Sequence, residues 1–302
     1  MKLGFVSAIL PEFSLEEIFC FAADEGFECV ELMCWPPGKA DRRYAGVSHV
    51  DVTDFNEEKA GKIQDLVHNH GVAISGLGYY PNPLDPDPAH RQLVIDHLKK
   101  VISAGPRLDV RLVNTFVGRD PSKTIETNWP MFVEIWRDLV LYAEAEGVNI
   151  AIENCPMLFS RDEWPGGKNL AVAPAVWNGM FEEIATPHFG LNFDPSHLIW
   201  LHIDPVRCVR DFGNKIFHVH AKDARIDADR LYAVGILGLG WHTPKIPGLG
   251  DVNWGQMFSV LTEVGYIGAV CIEVEDRAFE ASVEDRRRAL RQSKRFLEQF
   301  VS

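Results

Sequence analysis

Eight apolar, β-branched runs, each followed by an amphipathic helical stretch, repeat from one end of this chain to the other, and that alternation leaves few folds open. Parallel strands need a crossover to bring the chain back to the starting edge, and a helix is the usual crossover. The runs are Leu3–Ile9, Cys29–Met33, Val72–Gly78, Val110–Phe116, Val148–Glu153, Phe189–Asp194, Ile216–His220 and Gly268–Glu273. Helices are expected at Leu15–Glu25 (capped by Ser14, stopped by Gly26), Asn56–His70, Ala89–Ser103, Trp129–Glu146, Pro174–Ile184, Pro205–Phe212, Trp254–Val264 and Val283–Phe300. Eight such units in 302 residues predict a closed (β/α)8 TIM barrel, a single domain spanning residues 1–302. The alternative is an open doubly wound sheet, but no Gly-x-Gly-x-x-Gly follows the first strand.

Bulk composition narrows the function. A formal charge of −13 argues against a nucleic-acid partner, which needs a basic face. Six scattered cysteines form no Cys-x-x-Cys pair and mostly sit in apolar runs, which predicts reduced, buried thiols. No apolar stretch is long enough to span a bilayer and no leader is evident at the N-terminus, so a cytoplasmic protein without a membrane partner is expected.

In such a barrel, polar residues at the carboxyl ends of strands face the active-site mouth. Strand five ends in Glu153 and Asn154. Strand six ends in Asp194, with His197 just beyond. Strand seven carries His218 and His220 at alternate positions, hence on one face, and runs into Lys222, Asp223 and Arg225. Strand eight ends in Glu273. Three carboxylates and an imidazole from four consecutive strands make a set suited to Mn²⁺, Co²⁺, Mg²⁺ or Zn²⁺, and the lack of thiolates argues against a closed structural zinc site. Carboxylates brought together in a barrel mouth are expensive to desolvate without a cation.

The segments Ile-Glu-Asn, Phe-Asp-Pro-Ser-His, His-Val-His-Ala-Lys-Asp and Ile-Glu-Val-Glu, in that order, resemble the xylose-isomerase-like TIM-barrel superfamily. Within it they are most similar to the sugar phosphate isomerase/epimerase branch, as is the stretch Lys245–Trp254. The resemblance implies that Glu153, Asp194, His220 and Glu273 bind one divalent cation, that His197 contacts substrate or sits beside the metal, and that Glu153 and Glu273 act as acid and base. It also implies a small carbohydrate substrate and a homodimer or homotetramer. Proton abstraction beside a carbonyl, returned on the other face, is isomerisation or epimerisation. The same abstraction followed by β-elimination makes a dehydratase or lyase of a keto-sugar, keto-glycoside or keto-inositol. A non-catalytic carbohydrate-binding barrel is the remaining alternative. The superfamily's three-zinc DNA-repair endonucleases need further histidines at the ends of strands three and four, where this chain has none.

Ketohexose epimerases carry a glutamate where this chain has Phe159, and an arginine where it has Ile226, with Arg225 one position earlier. Substrate contacts are therefore expected from His197, Lys222, Asp223, Arg225, Asn154 and His242, with the long loop from Arg225 to Asp251 over the site. His218 is read as a structural residue beneath the site, with a second metal ligand as the alternative. Trp35, Tyr79, Tyr80, Phe116 and Trp164 divide between stacking on a sugar ring and ordinary packing. His68, His70, His90 and His97 are expected on solvated helix surfaces, as are Arg286, Arg287 and Arg288.

Overall fold

The computed structural model describes residues 1–37, 45–157 and 167–301. Eight parallel strands close into a barrel: β1 (Lys2–Val6), β2 (Cys29–Met33), β3 (Ala73–Gly78), β4 (Leu112–Thr115), β5 (Asn149–Glu153), β6 (Phe189–Phe193), β7 (Ile216–Ala221) and, after a two-stranded excursion, β10 (Ala269–Ile272). Closure lies between β1 and β10, where Gly4 sits in register with Cys271 on one side and Cys29 on the other. Gly4 has to be a glycine, because a Cβ there would lie 2.3 Å from the carbonyl oxygen of Cys29.

The outer layer comprises α1 (Leu15–Asp24), α2 (Glu57–His70), α3 (Pro88–Arg107), α4 (Ile125–Ala145), α5 (Pro174–Glu183), α7 (Pro205–Phe212), α9 (Trp254–Glu263) and α10 (Val283–Leu297). Local chemistry sets the ends as expected. Ser14 and Glu17 form a reciprocal capping box on α1, and Gly71 closes α2 at φ 65°. Helix α4 begins four residues before Trp129 because Thr124 caps it, accepting from the Thr127 amide. Helix α3 runs past Ser103 to Arg107, with Pro106 inside its last turn.

Three expectations need correction. His97 is buried, not solvated: it falls on the α3 face made by Val94, Leu98, Val101 and Ile102, and its Nε2 lies 2.7 Å from the Cys34 carbonyl oxygen. Arg286 is nearly buried and pairs with Glu12, while Arg288 is the exposed member of its run. The segment after β7 is not a plain loop. Strands β8 (Asp223–Ile226) and β9 (His242–Lys245) pair antiparallel, with the short helix α8 (Ala228–Val234) at the far end. A further short helix, α6 (Pro195–Trp200), starts directly at Asp194.

All six cysteines are free, and Cys29, Cys34, Cys208 and Cys271 are buried. No described helix is long and apolar enough to cross a membrane.

Candidate metal centre and substrate cavity

The carboxyl ends of β5, β6, β7 and β10 bring Glu153, Asp194, His220 and Glu273 together, with one donor atom of each inside a 4.8 Å sphere of mutual distances. His220 Nδ1 lies 3.8 Å from Glu153 Oε1 and 3.6 Å from Glu273 Oε2. Asp194 is positioned twice over. Its Oδ1 caps α6 by accepting from the Ser196 amide at 2.8 Å, and the Asn154 side chain clamps its backbone through two 2.8 Å hydrogen bonds. That leaves Asp194 Oδ2 pointing into the cluster, in ion-pair range of Lys222 Nζ at 3.1 Å and His197 Nε2 at 3.2 Å, while the buried His220 Nδ1 has no hydrogen-bond partner among the described residues. Buried polar atoms are seldom left so. An unpartnered imidazole nitrogen and three carboxylates converging on one point fit a divalent cation.

The charge balance says the same. Glu31, Glu153 and Asp194 are buried and Glu273 and Glu275 half-buried, and even with His197 and His220 drawn toward their protonated forms these five acids outnumber the cations, whose one ammonium among the described residues of the cluster is Lys222. Its Nζ lies 2.6 Å from Glu273, 3.1 Å from Glu275 and 3.1 Å from Asp194. Burial pushes the Glu273 carboxyl up to about 7 against the pull of Lys222. Burial acts the same way on Glu153, but the His197 and His220 imidazoles at 3.6 and 3.8 Å, with the Lys222 charge, outweigh it and hold that carboxyl at about 2. Two carboxylates within 4.8 Å of each other thus sit in opposite protonation environments.

Four residues outside the sequence-based set complete the centre. Glu31, fully buried on β2, accepts from His220 Nε2 at 2.7 Å and from the Tyr80 hydroxyl. Asn192 donates to that hydroxyl at 3.1 Å and bonds His218 Nδ1 through its oxygen at 3.0 Å, and His218 Nε2 reaches Ser75 Oγ at 3.2 Å. Gly78 makes room for the carboxylate, since a Cβ there would lie 2.6 Å from Glu31 Oε1. The network fixes the His220 ring with Nδ1 toward the centre, as outer carboxylates do for metal-binding histidines. His218 is a supporting residue held by hydrogen bonds on both ring nitrogens, and burial lowers its pKa to about 4. The available signal for Glu31 was a lone charge in the middle of the apolar run Cys-Val-Glu-Leu-Met.

Beside the centre lies a cavity of about 770 Å³. Of the expected substrate contacts, His197, Lys222 and His242 line it. His197 Nε2 is 3.2 Å from Asp194 Oδ2 and 3.6 Å from Glu153 Oε1, so it stands next to the candidate ligands. Three others do different work. Asn154 is spent on the Asp194 backbone. Arg225 is exposed on β8 and absent from the cavity wall. Asp223 reaches the wall, but its carboxylate accepts from the amides of Ala224, Gly248 and Val252 and from Trp254 Nε1 at 2.9–3.0 Å, which ties down the segment after β9. Of the aromatics, Tyr80 belongs to the centre and Phe116 packs on it, whereas Tyr79 packs between Trp35 and His97. Phe159 and Trp164 lie outside the described residues.

The family model described as xylose isomerase-like TIM barrel matches residues 19–300. The chain belongs to that family. The uncharacterized protein YfiH of Bacillus subtilis is 27% identical over 332 aligned positions, covering 97% of this chain and 99% of that protein. Inosose dehydratase of Clostridium tetani is 33% identical over 91 residues, covering 28% of this chain and 30% of that enzyme. Two crystal structures share the fold across the whole of both chains. One is the IolI protein with a bound zinc atom, at 18% identity and TM-score 0.72. The other is D-psicose 3-epimerase of Clostridium cellulolyticum with D-tagatose, at 18% identity and TM-score 0.69.

Proposed function

We propose that this chain is a divalent-metal-dependent isomerase or epimerase of a ketose or keto-sugar. The observation that carries the reading is the convergence of Glu153, Asp194, His220 and Glu273, with the buried His220 Nδ1 left without a hydrogen-bond partner among the described residues and aimed at their common centre. Bound there, a divalent cation (Mn²⁺, Co²⁺, Mg²⁺ or Zn²⁺) supplies Lewis-acid polarisation of a substrate carbonyl. The protein supplies the proton chemistry. The Glu153 carboxylate, held ionised, takes the proton from the carbon next to the carbonyl. Glu273, which holds a proton more readily, delivers one to the substrate. Lys222, held against Glu273, Glu275 and Asp194, keeps these carboxylates oriented. His197, beside Glu153 and Asp194 on the cavity wall, is placed to bond a substrate hydroxyl.

A second reading is favoured by the segment similar to inosose dehydratase. The same abstraction followed by loss of a β-hydroxyl is dehydration. Incubating the metal-loaded enzyme with keto-sugars in D₂O separates the two: an isomer carrying one solvent deuterium is expected, and an unsaturated product assigns dehydration. Glu153→Gln and Glu273→Gln should each abolish turnover while circular dichroism shows an intact barrel. Wild-type activity in either variant refutes the two-glutamate mechanism.

A further inference from the structure

We propose that Glu153, Cys155 and His197 form a second cation site, one that takes a thiophilic divalent ion of the Zn²⁺ type and shares Glu153 with the centre described above. One donor atom of each lies within 4.8 Å of the other two. Ligand atoms around a tetrahedral zinc stand roughly 3.3–3.7 Å apart, as bond lengths of ~2.0–2.3 Å require. His197 Nε2 and Glu153 Oε1 already keep that spacing, at 3.6 Å. Closing the rest of the set takes at most about 1 Å of side-chain adjustment. The site is independent of which reaction the barrel catalyses.

Each member of the trio is held in place. The buried Asn169 side chain donates to the Glu153 carbonyl at 2.9 Å and to the Cys155 carbonyl at 2.7 Å, which fixes the backbone carrying both residues just past β5. The Met157 amide donates to Cys155 Sγ at 3.4 Å, and outer donors of this kind orient a ligating side chain. Met157 itself sits at φ 57°, a conformation non-glycine residues seldom adopt, so the turn around the sulfur is kept at some cost. His197 is buried, and neither ring nitrogen makes a hydrogen bond among the described residues; Nε2 is in ion-pair range of Glu153 and of Asp194, and Nδ1 has no such contact. Buried imidazole nitrogens are seldom left so. A second cation also offsets part of the surplus of acids around the centre.

The donor set decides which ion. The first centre offers three carboxylates and an imidazole, whereas this one offers a thiolate, an imidazole and a carboxylate. Sulfur favours zinc-like ions over Mg²⁺ and Mn²⁺. Cys155 and His197 line the cavity, so three protein donors leave a further position open toward it, the pattern of a reactive zinc site and not of a closed structural one.

Metal titration of the reduced, chelator-stripped protein tests the assignment. Mn²⁺ should bind with one equivalent, and Co²⁺, a spectroscopic stand-in for Zn²⁺, with two. A near-ultraviolet sulfur-to-cobalt charge-transfer band should accompany the cobalt. In Cys155→Ala and Cys155→Ser, one equivalent of Co²⁺ and the band should both be lost while the other equivalent still binds. A measurement on the unaltered chain stands beside the variants: alkylation of Cys155 by iodoacetamide, followed by peptide mass spectrometry. On Mn²⁺-saturated protein it should slow roughly tenfold when Zn²⁺ is added at about ten times its dissociation constant, since only the unbound fraction reacts. Mn²⁺ alone should leave the thiol reactive. A single equivalent of Co²⁺, two equivalents without the sulfur band, a band that persists in both variants, or alkylation indifferent to Zn²⁺ each overturns the second site.

Discussion

Glu31→Gln gives the sharpest test of how the centre is held. The native carboxylate is fully buried, accepts from His220 Nε2 at 2.7 Å and from the Tyr80 hydroxyl, and lies 3.8 Å from His218 Nδ1. Glutamine keeps the volume but turns one acceptor into a donor and removes the charge, so the bond to His220 falls from charge-assisted to neutral. Hydrogen bonds to charged groups contribute about 1.5–3 kcal/mol and neutral ones about 0.5–1.5, a difference of about 1–2 kcal/mol. At ~1.4 kcal/mol per decade this is a roughly 5–30-fold loss of metal affinity, overlapping the lower end of the roughly 10–100-fold range typical of outer-sphere partners. Competition of the purified protein against a chromophoric chelator, with Co²⁺ or Zn²⁺, measures it directly. Two further readouts separate positioning from general damage. Turnover at saturating metal should be largely retained, because Glu31 touches no reacting atom. The metal-free variant should still unfold cooperatively, at a lower temperature than wild type, because one partner of a buried ion pair with His220 has been removed. A dissociation constant within about twofold of wild type, less than ~0.5 kcal/mol, refutes the claim that Glu31 sets the His220 ligand.

Asp223→Ala should cost about 2–5 kcal/mol in urea denaturation, because one carboxylate satisfies three amides and an indole N–H, and it should raise hydrogen exchange over residues 246–254. Unchanged stability and exchange would show that the segment is held by other contacts. His97 is kept neutral by burial, so its folded pKa lies below the unfolded value; the unfolded chain binds the extra proton as pH falls, and stability is lost below about 6.5. The stability difference between wild type and His97→Gln should therefore shrink from pH 7.5 toward pH 5, and a constant difference across that range refutes the assignment.

How much of this was legible depended on what kind of information placed each residue. The four candidate ligands were readable because period-2 and period-3.6 patterns alone locate strand ends, and a barrel turns strand ends into a common site. Glu31 escaped because its partner, His220, is 189 positions away and only the barrel's closure brings β2 opposite β7. His97 was misplaced although the pattern held the answer: it occupies a position on the apolar stripe of α3, and its polar character was allowed to outweigh its spacing. Asp223 and Asn154 were assigned to substrate because a charged or amide side chain at a strand end looks the same whether it faces a ligand or a backbone. Their partners are main-chain amides and a carbonyl, plus one indole, and main-chain groups leave no mark on the sequence. The same reason hid the β8–β9 hairpin, whose second strand, His-Thr-Pro-Lys, is polar, contains a proline, and owes its position to the amides of residues 248–252 anchored on Asp223. Strand periodicity thus reports where polar strand ends converge, while the cavity wall beside them is built from segments fixed by main-chain hydrogen bonds. Sequence patterns therefore single out the candidate metal centre of this chain far more readily than the cavity wall beside it.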